Sequence, residues 1–136
     1  MLLSGLPEHV DDEEDLARFL TQSSQFNATM AKPAAFLPNP KDHETSVSRR
    51  GREPLERLWE IGLAAAGTRT LYGAAIFKTR SVRAVQLEVV ADESPPRHAA
   101  IRSWPWIEND PELQKAKQKE LAALLASAAG PPLLRE

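Results

Sequence analysis

The chain contains no cysteine. That excludes disulfides, thiolate metal sites and cysteine nucleophiles, and it fits a reducing compartment. It also lacks any run of about 18 consecutive apolar residues, the length a membrane-spanning helix needs, so no membrane partner is expected. The opening MLLSGLPEHV has neither a basic start nor an apolar stretch of signal-peptide length. Export by that route is not expected, and the cytoplasm is the simplest location. An excess of positive charge is missing too. With 17 Lys and Arg against 19 Asp and Glu the net charge is -2, so the broad attraction to phosphate shown by most nucleic-acid binders is absent. No glycine-rich turn precedes a helix, which excludes a phosphate loop. The three histidines, His9, His43 and His98, stand far apart, and Asp42 to Glu44 is a lone triplet without a second ligand cluster. Neither a metal site nor a cofactor is expected.

What is present indicates one domain spanning residues 1–136, long enough to bury a core without covalent staples. Hydrophobic residues at 42% and charged residues at 26% match ordinary globular chains rather than disordered ones. Eleven prolines exceed the usual share of roughly 5% and indicate many short elements separated by fixed turns.

The acid-rich DDEEDLARFL predicts a short helix whose positive end meets carboxylates. Pro33, Pro38 and Pro40 leave only Ala34 to Leu37 free to extend, at a sheet edge, with a wide hairpin leading to a strand over ETSVSRR. EPLERLWEIGLAAAG predicts a helix from Pro54 to Ala66 closed by Gly67. Its face of Leu55, Leu58, Trp59, Gly62 and Ala66 places Trp59 in the core. TLYGAAIF reads as a buried strand in which Gly73 permits a bulge or a close neighbour. KTRSVRAV gives one or two helical turns, and QLEVVAD is a strand with Leu87, Val89 and Ala91 on one face. The turn ESPP follows.

In RHAAIRSWPW, alternation sends Ala99, Ile101 and Ser103 to the core face. His98, Ala100, Arg102 and Trp104 go to the other, and Pro105 ends the strand. The last element runs from Asp110, the N-cap, through Pro111 to Ala128, and closes at Gly130. Leu113, Ala116, Leu121, Leu124, Leu125 and Ala128 share a face interrupted by Lys117. The second half should therefore pack while the first half, with Lys115, Lys117 and Lys119, stays solvated. Residues 1–11 and 130–136 should fray. The expected fold class is α+β: a single small domain with a mostly antiparallel sheet of four or five short strands and two main helices packed on it.

KPAAFLPNPKD with TSVSR, then VRAVQLEVVADESPPRHAAI, resembles a family of short uncharacterised bacterial proteins. Its pattern pairs an alanine-phenylalanine-x-proline segment (Ala35 to Pro38) and a serine-valine strand (Ser46, Val47) with a later histidine-alanine-x-isoleucine strand (His98 to Ile101). The resemblance implies that the TSVSR and RHAAI strands are neighbours in one small sheet. The family's function is unknown, so no catalytic residue carries over.

Three function classes remain. The leading expectation is a non-enzymatic partner of another protein, through the turn Trp104-Pro105-Trp106, since tryptophan and arginine dominate interface energetics. The alternative is an anion- or nucleotide-binding module. Lys32, Arg49, Arg97 and His98 would hold phosphate, helped by RRGR, Arg80 and Arg83, and Trp104 would stack on a base. The third is a small enzyme with His98 near Ser46 and Asp42, Glu44 or Asp92 as the orienting carboxylate. No strained serine turn and no diagnostic pair of acids supports it, so no catalytic residue is assigned.

Overall fold

The computed structural model describes residue 2 and residues 4–135. Six antiparallel strands form one sheet in the order β4-β5-β2-β1-β3-β6. They are β1 (Asp15–Leu20), β2 (Thr45–Arg49), β3 (Gly73–Lys78), β4 (Glu88–Ala91), β5 (His98–Arg102) and β6 (Leu133–Leu134). Three helices accompany them: α1 (Leu55–Ala66), α2 (Thr79–Ala84) and α3 (Pro111–Ala129). The α+β class therefore holds, with one strand more than the upper expectation of five.

The segment read as an acid-capped helix is β1, near the middle of the sheet. Leu16 and Leu20 face the larger core with α2 and α3, while Ala17 and Phe19 face a smaller one under α1. A strand covered on both faces loses apolar-polar alternation. Its clustered apolar residues then imitate a helix.

Pro33–Ala35 is a 3-10 turn rather than an edge strand. Proline at its first position has the required φ, and the N–H it lacks has no role there. No hairpin joins this turn to β2. Its Phe36 carbonyl instead accepts from the buried Thr45 hydroxyl at 2.7 Å.

Helix α1 begins after Pro54 and ends at Gly67, whose φ of 62° suits glycine. Leu58, Gly62 and Ala66 are its buried line, whereas Trp59 is only half-buried and Leu55 is exposed. Trp59 thus borders the small core rather than lying within it. A Cβ on Gly62 would stand 2.7 Å from the Phe19 ring, so this glycine sets how closely α1 lies on β1.

On the opposite face α3 packs against β3 and the 3-10 turn. Asp110 accepts the Leu113 N–H at 3.0 Å, as an N-cap should. The buried line is Ala122, Leu125 and Ala126, with Leu121 and Ala129 beside it, while Leu113 and Leu124 are exposed. The buried line is rotated from the expected face toward the alanines Ala122 and Ala126. Its lysine-bearing first half is solvated, as expected.

Both terminal segments make specific contacts where they are described. Val10 is buried in the main core, the Pro7 carbonyl accepts from Arg49 at 2.6 Å, and the Ser4 N–H donates to Glu93 at 2.7 Å. At the other end β6 pairs with Gly73 and Ala74. The Leu133 carbonyl comes so near Gly73 that a Cβ there would be 2.2 Å from it. Gly73 thus has the close neighbour anticipated for it. Met1, Leu3 and Glu136 lie outside the described residues.

Candidate functional site

Helix α1 covers only β1 and β3, so one face of β2, β5 and β4 has no helix over it. Strand register arranges that face in three rows. Ser48 opposes His98, and the Asp92 N–H bonds the His98 carbonyl at 2.8 Å, which places Asp92 next in line. Ser46, Ala100 and Val90 make the second row. Glu44, Arg102 and Glu88 make the third, where Arg102 is ion-paired with Glu44 and cross-strand to Glu88.

The Arg49 N–H bonds the Arg97 carbonyl at 2.7 Å, and in an antiparallel ladder this makes Ser48–His98 a non-hydrogen-bonded pair. Such pairs bring side chains closest, with Cα atoms about 4.5 Å apart. His98 is half-buried, and its Nδ1 faces Asp92 Oδ2 at 3.5 Å without hydrogen-bond alignment.

Between these rows and the end of α1 runs a groove of about 430 Å³. Ser46, Ser48, His98 and Asp92 form its floor, with Ala65, Ala66 and Arg69 on one wall and Asp42 and Glu44 at one end. Arg18 also lines it. Strands β1 and β2 pair only at Leu16–Arg49 and Ala17–Ser48 before separating, and the Arg18 guanidinium occupies the gap. Its Nε donates to Ala35 O at 2.7 Å and its Nη1 to Ser46 O at 2.9 Å. Arg69 donates to Ala66 O and Ala65 O, closing the C-terminal turn of α1. Burial first, then the Arg69 charge, hold the Arg18 pKa below its ordinary value. Neither guanidinium has a carboxylate within ion-pair distance among the described residues.

Of the residues singled out from the sequence, His98, Ser46, Asp42, Glu44 and Asp92 line this groove, while Lys32, Arg49, Arg97, Trp104 and Trp106 do not. Arg49 is fully buried on the other face, held by both oxygens of Glu14 at 2.6 and 2.7 Å. Arg97 donates to the Arg49 and Arg50 carbonyls and to Glu53 at 2.7 Å. Lys32 precedes the 3-10 turn and does not line the groove. The four basic residues therefore do not converge, because backbone carbonyls and internal acids occupy the arginines.

Trp104 is 6% exposed and belongs to the main core with Ile101, contrary to strict alternation. Ser103 has φ 71°, and this left-handed residue reverses which face the next side chain takes. Trp106 is 58% exposed and packs against His43 in a tilted arrangement with ring centroids 4.1 Å apart. Only one indole of the pair is thus available to solvent.

Arg18, Arg69, Ser48 and the choice of Asp92 among the acids escaped the sequence reading. Serine 48 had a usable signal: pairing TSVSR against RHAAI puts some serine opposite His98, though register decides which one. Among the described residues no group of three or more histidine, aspartate or glutamate side chains is placed to hold a metal ion. Among the described residues no helix is long and apolar enough to cross a membrane. No protein-family model, no curated protein and no solved structure matches the chain.

Proposed function

We propose that this protein binds a small anionic ligand in the groove between α1 and the bare strands. The observation that carries the reading is the Arg18–Arg69 pair. Both side chains line the groove, and neither has an acid at ion-pair distance among the described residues, so an oxyanion placed there meets guanidinium charge that no carboxylate neutralises. The hydroxyls of Thr21, Ser46 and Ser48 line the same space and add neutral donors. Its volume of about 430 Å³ falls among small-molecule sites, which span about 300–1,000 Å³. Trp104 is in the core and offers no face for a base, so the reading narrows from nucleotides to a compact phosphate or carboxylate compound. The cysteine-free chain suits a reducing, cytoplasmic setting.

Thermal melts with inorganic phosphate, against sodium chloride of equal ionic strength, test this. A ligand that binds only the folded state at 100 times its Kd adds about 2.7 kcal/mol of stability. Phosphate should raise the Tm of the wild type and not that of Arg69→Gln, whose site is exposed enough to spare the fold. An equal shift in both proteins, or none in either, sinks the proposal.

A second reading, a protein partner, is favoured by the exposed Trp106 on His43. Rigid exposed aromatics are common interface anchors. Loss of a co-purifying partner in Trp106→Ala, with an unchanged melt, would support it, while retention of every partner would count against it.

A further inference from the structure

We propose that the Ser48–His98–Asp92 row is a hydrolytic site for esters bearing a second, anionic group. The inference rests on the groove reading for the seat of that anion, on Arg18 and Arg69. The row itself is independent of it. Strands β2 and β5 and the residue that follows β4 place a hydroxyl, an imidazole and a carboxylate side by side, in that order, on one uncovered face.

The order fixes the roles. Asp92 lies on the Nδ1 side of His98 at 3.5 Å, which leaves Nε2 as the base, and Ser48 is the residue directly across the β2–β5 ladder from His98. Ser46 has Ala100 opposite it and no base in its row. Glu44 is engaged by Arg102, and Asp42 Oδ1 accepts the Glu44 N–H at 3.0 Å. Of the groove's carboxylates only Asp92 reaches His98. The 3.5 Å separation exceeds a hydrogen bond, as catalytic contacts in ligand-free enzymes often do before substrate tightens them.

The chemistry balances without a cofactor. Ser48 Oγ attacks the ester carbonyl carbon while His98 Nε2 takes its proton, and Asp92 stabilises the imidazolium. The tetrahedral adduct collapses, the bond from carbon to the alcohol oxygen breaks, and Nε2–H protonates the departing alkoxide. Water then adds to the acyl-Ser48, again giving its proton to His98. Collapse releases the carboxylic acid and returns the proton to Ser48. Arg18 and Arg69 hold the substrate's second anionic group, which selects half-esters of dicarboxylic acids or similarly charged esters over neutral ones.

Two measurements on the full chain test this. A fluorophosphonate probe should label Ser48, located by peptide mass mapping, and labelling should vanish in His98→Gln. The mono-p-nitrophenyl ester of succinate should turn over about tenfold faster than p-nitrophenyl acetate, the ratio expected of one charge-assisted contact, and this preference should fall in Arg69→Gln. If Ser48 takes no label while phosphate still binds, the hydrolytic step is overturned and the groove reading stands. If Ser48 is labelled and both esters turn over equally, the anionic-substrate assignment is overturned, and the phosphate melts alone decide the groove reading.

Discussion

Glu14→Gln should cost this protein about 3 kcal/mol. Arg49 is fully buried, and Glu14, 11% exposed at its side chain, meets it with both carboxylate oxygens at 2.6 and 2.7 Å. Removing one partner of a buried pair leaves the other charge uncompensated, which typically costs about 3–5 kcal/mol. The low end applies because Glu14 touches solvent and Arg49 keeps the Pro7 carbonyl. Against a total stability of roughly 5–15 kcal/mol for a domain, that is a large share. Urea unfolding followed by tryptophan fluorescence measures it, and the m-value should stay constant because the surface exposed on unfolding does not change. The double variant Glu14→Leu with Arg49→Met removes both charges at once and should fall within about 1.5 kcal/mol of the wild type. A loss below about 1 kcal/mol for Glu14→Gln at constant m would refute the argument. It would mean that the guanidinium finds water or another acceptor at no cost.

The two neighbouring tryptophans should separate cleanly. Trp104→Ala should cost about 3–5 kcal/mol as a core truncation, and Trp106→Ala less than about 0.5 kcal/mol as a surface change, by the same urea melts. Comparable losses would contradict the side-chain reversal at Ser103. Glu93 provides a pH test. Partial burial pushes its pKa up, but hydrogen bonds from Ser4 and the Arg97 N–H, with the Arg49 charge, bring it below the ordinary glutamate value. A group with a depressed folded-state pKa contributes stability that is present above the unfolded value, about 4.3, and lost as pH falls through the folded one. Amide exchange at Ser4 should therefore lose its protection as the pH falls below the ordinary glutamate range, and Glu93→Gln should lack this pH-dependent step.

Elements bounded by local chemistry were legible. Asp110 and Pro111 open α3, Gly67 closes α1, and each signal acts within a turn of where it is read. Misreadings arose where distant partners decide the outcome. Strand β1 carries a helix-like pattern because helices cover both its faces, and LL at 133–134 becomes a strand only because Gly73 admits it. The left-handed φ at Ser103 decides the fate of Trp104, and nothing in the string RSWPW marks it. The candidate site shows the same division. His98 stood out as a residue, but its row with Ser48 and Asp92 depends on strand register. Arg18 enters the groove only because β1 and β2 part company.

The sheet order has a consequence for how the chain is made. Strand β1 pairs with β2 at two positions but with β3 at six, so its main partner lies well downstream, ending at Lys78. At translation rates of about 5–20 residues per second, the 58 residues from Leu20 to Lys78 take roughly 3–12 s to synthesise. For that interval Leu16, Phe19 and Leu20 are available to any passing nascent chain. The acidic run from Asp11 to Asp15 stands immediately ahead of them, and like charges flanking an apolar segment oppose the pairing of two copies of it.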